Sequence, residues 1–188
     1  MRTFEQLETR LPMTAAVDLD AGVLRVVGGD AAEAVEIRQI DVDSFRVLGD
    51  VDARGRYDGV TRLSVFLGGR ADSLAFFGAG VAGTLPRGLL VDVGGGADAV
   101  RVSGLNAQEI STPPSVELIG GGGVDTLEIA DSDLATFLAK TGAGNDLLRV
   151  FGCSFGGAVI ADGGPGQDDL DENNNLFGTP PQFTGFES

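Results

Sequence analysis

The chain has 188 residues, 30 of them glycine, no histidine or tryptophan, one cysteine and a net charge of −15. That length fits one domain and a 43% hydrophobic content supports a core, but so acidic a balance argues against a nucleic-acid partner, which demands a basic face. Without histidine the commonest general base and zinc ligand is missing, glycines not spaced every third residue exclude collagen, and no run nears 18 apolar residues, so no membrane span is expected.

Residues 1–16, MRTFEQLETRLPMTAA, differ from all that follows: no glycine, two arginines, and Phe4, Leu7 and Leu11 at helical spacing. They lack the apolar run of a secretory signal. One reading is a small amphipathic cap over the open end of a repeat array. The other is a sorting segment, because Phe4-Glu5-Gln6-Leu7-Glu8-Thr9-Arg10-Leu11 resembles the N-terminal Leu-Glu-x-Arg segment of planctomycete surface and exported proteins.

From Val17 the sequence predicts short strands broken by turns. Gly22–Val27, Ala34–Ile37, Ser44–Leu48 and Val60–Leu67 alternate apolar and polar residues between glycine and aspartate, which is the strand signal. A polar loop is expected over Asp52–Asp58. Later segments share one grammar: a strand, a glycine-rich turn closing on aspartate, a second strand, a looser return. Leu89–Val93 leads into Gly94-Gly95-Gly96-Ala97-Asp98 and Val100–Val102 leaves it; Ser115–Ile119 and Leu127–Ile129 flank the next.

The turn reads Gly-Gly-x-Gly-x-Asp-x-hydrophobic. It is fullest at Gly120–Leu127 and Gly163–Leu170, partial before Asp72, Asp98 and Asp146, and faint at Gly28–Val35, where Glu33 stands for aspartate. Self-similarity at a period of 20–50 residues marks a repeat architecture. The period predicts an all-β fold, a right-handed parallel β-helix or β-roll-like solenoid with one glycine-rich turn per coil, spanning 17–172. Valine and leucine ladders should fill it, with room for few large aromatics. Residues 173–188 break the period and are expected to form a C-terminal cap, with Phe177, Phe183 and Phe186 covering an otherwise unpaired edge. Cys153 has no internal partner and apolar neighbours, so it is expected to be a buried, inert thiol.

Glycines let backbone carbonyls converge and the aspartate adds a charged oxygen, the ligand type that Ca²⁺ favours. One turn supplies too few of the six to eight oxygens needed, but two stacked turns can supply enough. The alternative is that these are tight turns whose aspartates satisfy backbone groups. That reading is favoured at Asp72, where Arg70 replaces a glycine, and both stay open at Asp98. An EF-hand from Asp169 fails, because Asn174 replaces the required glycine.

The turn is similar to the nonapeptide of the hemolysin-type, or RTX, calcium-binding repeat family. That resemblance implies a parallel β-roll with Ca²⁺ between turns and, for many members, secretion. Residues 120–128 and 163–171 match well, 142–149 and 94–101 in part, 68–75 poorly. By resemblance the ligands are Asp125, Asp146 and Asp168 with neighbouring glycine carbonyls. The candidate metal residues are then Asp98, Gly121, Gly123, Asp125, Gly142, Gly144, Asp146, Gly164, Gly166 and Asp168. The family's repeats run in tandem at nine residues, whereas these aspartates step by 21–27, which implies a three-sided coil with a few sites.

The functional expectation is a non-enzymatic, Ca²⁺-stabilised extracellular or cell-surface module, structural or adhesive, with calcium ions and a cell-surface glycan or protein as partners. The alternatives are a metal-free structural repeat protein and a polysaccharide lyase or hydrolase in which carboxylates serve as acid and base and Arg87 or Arg101 meets an acidic sugar.

Overall fold

The computed structural model describes residues 14–79, 85, 87–106 and 114–187. Most of the N-terminal sorting or cap segment, residues 1–13, lies outside them. The described residues are all β, with no helix.

The chain enters as an antiparallel hairpin of β1 (Ala16–Asp20) and β2 (Val23–Val27). An antiparallel meander follows, β3 (Ala34–Asp41), β4 (Ser44–Gly49) and β5 (Gly55–Tyr57). The expected polar loop at 52–58 therefore contains a strand: Tyr57 lies half-buried opposite Phe45 and donates its hydroxyl to the Ala53 carbonyl at 2.5 Å. Three residues sufficed because their partner strand, not their own pattern, supplies the order.

Every later strand pairs parallel. In chain order they are β6 (Arg62–Phe66), β7 (Ser73–Phe77), β8 (Leu89–Asp92), β9 (Gly95–Gly96), β10 (Ala99–Ser103), β11 (Ser115–Gly123) and β12 (Thr126–Ala130). Then come β13 (Asp133–Leu134), β14 (Thr136–Ala143), β15 (Leu147–Phe151), β16 (Ser154–Phe155), β17 (Val159–Asp162), β18 (Asp169–Asn173), β19 (Leu176–Phe177) and β20 (Gln182–Thr184). They form three sheets. The first runs β1-β2-β6-β8-β11-β14-β17-β20, with β9 beside β11; the second β18-β15-β12-β10-β7-β3-β4-β5; the third β13-β16-β19. From β11 on, each pass of the chain lays one strand on the first sheet, one on the second and one on the third until the last pass, which ends on the first.

Register stacks like on like. Leu24, Leu63, Leu89, Val116, Phe137 and Val159 make one inward column of the first sheet. Ile37, Phe76, Val102, Ile129 and Val150 make one of the second. All are at least 97% buried, and each such side chain contributes about 1.5–3 kcal/mol relative to exposure. The expectation of few aromatics inside is corrected: Phe45, Phe76, Phe137 and Phe155 are among the largest fully buried side chains. Phe137 and Phe155 meet at 5.9 Å between the first and third sheets, and Phe155 stacks on Phe177 at 5.3 Å, so rings fill the corner between these sheets as well as single positions, Phe76 and Phe137, of the ladders.

The tail stays in register. β19 pairs β16 and β20 pairs β17, and Phe177, Phe183 and Phe186 pack half-buried against the core. In the second sheet the same pass places exposed Glu172 in line with Val150, which ends the apolar column with a charge.

Candidate functional site: a column of buried carboxylates

Parallel pairing places the repeated turns directly over one another. Gly121 pairs Gly142 in one direction, while Gly122 and Gly123 pair Gly95 and Gly96 in the other, so the glycine run is a continuation of the ladder and not a loose loop. The glycines are required here. Gly121 has φ +108° and Gly123 φ +136°, and a Cβ on either would overlap the carbonyl oxygen of Gly94 or Gly96. Gly142, Gly144, Gly164 and Gly166 repeat the arrangement on the next two turns.

The acids that close these turns point inward. Glu33, Asp72, Asp98, Asp125, Asp146 and Asp168 are all at least 97% buried. One oxygen of each aspartate accepts the backbone N–H of the acid one turn earlier. Glu33 donates to Asp72 at 2.7 Å, Asp72 to Asp98 at 2.7 Å, Asp98 to Asp125 at 2.9 Å, Asp125 to Asp146 at 2.8 Å and Asp146 to Asp168 at 2.9 Å. Glu33 instead accepts from Gly29 at 3.2 Å. The second oxygen of all six is buried and has no hydrogen-bond partner. A charged oxygen buried without a donor is costly, so the column calls for a proton or a cation.

Burial and the neighbouring carboxylates act in the expected direction. Burial, reinforced by Asp98 and Asp146, raises Asp125 to about 6 despite the hydrogen bond from Asp98. Asp98 is raised by burial and by Asp72, and Glu33 by burial and by Asp72 and Asp50.

The first glycine of the motif decides where space remains beside the orphan oxygen. That position faces inward and holds Leu67, Val93, Gly120, Thr141 and Gly163 on successive turns. A Cβ at Gly120 would lie 2.7 Å from Asp125 Oδ2, and one at Gly163 would lie 2.9 Å from Asp168 Oδ2. Asp125 and Asp168 thus keep a cradle that side chains fill at Leu67, Val93 and Thr141, and they belong to the two fullest motifs; Gly28 leaves the same position open beside Glu33 Oε2. Thr141 donates its hydroxyl to the Gly163 carbonyl at 2.6 Å. The carbonyls of Gly94 and Gly95 each accept a backbone N–H and retain a second lone pair, whereas that of Gly163 accepts both the Thr141 hydroxyl and the Gly142 N–H.

All ten sequence-derived candidates fall on this one edge. Among the described residues no three Asp, Glu or Cys side chains converge as a metal cluster would. A cation here would therefore draw on single carboxylates and on backbone carbonyls. Asp72, outside the candidate set, carries the same bonding, and Glu33 starts the column as the backbone donor to Asp72; Glu33 at the aspartate position was the available signal. Cys153, on another corner, is buried, and burial chiefly pushes its thiol up to about 11, which suppresses the reactive thiolate. No family model matches this chain, and no curated protein or solved structure matches it.

Proposed function

We propose that the chain is a non-enzymatic, secreted or cell-surface repeat module, wound as a right-handed parallel β-helix and stapled by Ca²⁺ between its Gly-Asp turns, with a structural or adhesive role. The observation that carries this reading is the column of six buried acids whose second oxygens lack a donor. The handedness rests on the strong preference for right-handed connections between parallel strands of one sheet. Residues Asp125 and Asp168, with the space at Gly120 and Gly163, are the fittest ligands, joined by Asp98 and Asp146 and by carbonyls of Gly121, Gly123, Gly142, Gly144, Gly164 and Gly166. A hard cation would supply charge neutralisation and cross-turn cohesion. Millimolar external Ca²⁺ suits sites of modest affinity, and the likeness to hemolysin-type repeats and to the planctomycete sorting segment agrees with that setting.

The test is a thermal melt in EDTA, Ca²⁺ or Mg²⁺. Ca²⁺ at about 100-fold over its Kd should add about 2.7 kcal/mol, a rise of about 5–10 °C for a chain of this size. Mg²⁺ should add little, and an Asp125→Asn, Asp168→Asn variant should lose the response. A melt indifferent to Ca²⁺ sinks the metal staple. It would favour a second reading, a metal-free repeat protein, which the unbroken ladder of carboxylate-to-backbone hydrogen bonds supports.

A further inference from the structure

The outer face of the second sheet carries two contrasting rows of charge. In one row Arg101, Glu128, Arg149 and Asp171 stand opposite one another on successive strands β10, β12, β15 and β18, and Arg101 pairs Glu128 at 3.3 Å. Signs alternate, as cross-strand energetics favour. In the other row Arg38, Arg46 and Arg56 stand directly opposite on β3, β4 and β5. Three like charges in register work against folding, on a chain with 28 acids and only 13 basic residues.

The outer two arginines are held in place. Arg38 pairs through Nε with Glu36, and Arg56 through Nε with Asp58 at 2.7 Å and through Nη2 with Ser44 Oγ at 3.1 Å. Between them Arg46 is exposed and makes no ion pair among the described residues. The row continues onto Phe77, which stands opposite Arg38 and lies under its guanidinium at 5.8 Å. Alongside, on the same face, lies a trough of about 540 Å³ floored by the small residues Ala34, Ser73 and Ala75 and flanked by Glu36 and by the Arg101–Glu128 pair of the alternating row.

We propose that this face binds a linear polysaccharide bearing carboxylates. Three guanidinium groups at the repeat of adjacent strands, roughly 5 Å, suit a chain with regularly spaced anions, and a guanidinium fork matches a carboxylate in bidentate fashion. The shallow small-residue floor accepts the apolar faces of sugar rings. A peptide is a poorer occupant: β3 and β4 are paired on both sides, and the edge strand beside them, β5, offers only three residues, a short template for strand addition. This inference goes beyond the calcium reading and does not depend on it.

The experiment is fluorescence anisotropy of a labelled oligogalacturonate with the full chain at low salt and millimolar Ca²⁺. Binding should weaken about tenfold or more in Arg46→Glu, weaken with added salt, and persist in Arg149→Gln, an arginine of the alternating row. Matching melts of the variants establish that each is folded, and Arg46→Gln serves if the charge reversal unfolds the chain. Absence of binding, equal loss in Arg149→Gln, or equal competition by dextran or polyglutamate would overturn the proposal. Loss of the Ca²⁺ melting response with the glycan result intact would sink only the calcium reading.

Discussion

At the scale of single residues, the chain departs from its own rule at Arg70. Arg70 occupies the turn position that Gly96, Gly123, Gly144 and Gly166 hold on later turns, and its φ is +99°. Its backbone N–H still reaches the Gly95 carbonyl at 2.6 Å, so the ladder imposes the conformation and the side chain tolerates it. Such strain costs about 1–3 kcal/mol, of which glycine's extra unfolded-state entropy would return roughly 0.5–1 kcal/mol. Arg70→Gly should therefore stabilise the protein by about 1 kcal/mol, a rise of about 2–4 °C in Tm. A lower Tm would mean that the arginine stem contributes packing that outweighs the strain.

At the scale of the element, the glycine-rich turn is a stack with alternating tolerance. A side chain at Gly121 collides with the backbone of the preceding turn, whereas a Cβ at its neighbour Gly122 meets nothing within 4 Å. Gly121→Ala should cost about 3 kcal/mol, combining backbone strain with a clash that nothing flexible can relieve. Gly122→Ala should stay within about 0.5 kcal/mol of the parent. Chemical denaturation of the two variants separates a specific stacking requirement from a general need for glycine; equal losses would refute the stack. The same logic explains why a run of four glycines reads as a loop in sequence yet pairs as the end of β11.

At the scale of the whole molecule, the acid column runs from Glu33 to Asp168 and makes stability depend on pH. Because Asp125, Asp98 and Glu33 have raised values when folded, the native state binds more protons than the unfolded chain between the ordinary carboxylate range near 4 and about 6 for Asp125. Their contribution is then fully present below about pH 4 and is lost as pH rises through about 6. In EDTA, Tm should fall across that window. Asp125→Asn should flatten the fall, since the amide keeps an acceptor for the Asp98 N–H and carries no charge. Saturating Ca²⁺ should flatten it as well, a cation doing what the proton did. A slope unchanged in Asp125→Asn would place the pH dependence in the general acidity of the surface.

The sequence by itself determined most of the strands, the repeating turn and the aspartates that close it. Each is encoded locally: alternation fixes which side chains face inward, glycine permits positive φ, and an aspartate two residues before an apolar anchor such as Leu127 or Leu148 must sit beside the core. Tertiary structure alone decided what those pieces do together. Glu33 and Asp72 join the column across 39 residues because β4 and β5 are inserted between them, which hides the period. Each aspartate carboxylate of the column meets the backbone of the preceding turn, a bond set by strand register. The row of Arg38, Arg46 and Arg56 likewise exists only through the antiparallel pairing of β3, β4 and β5. Register is a long-range property, fixed by the burial of one face of every strand at once, and no local window of sequence contains it.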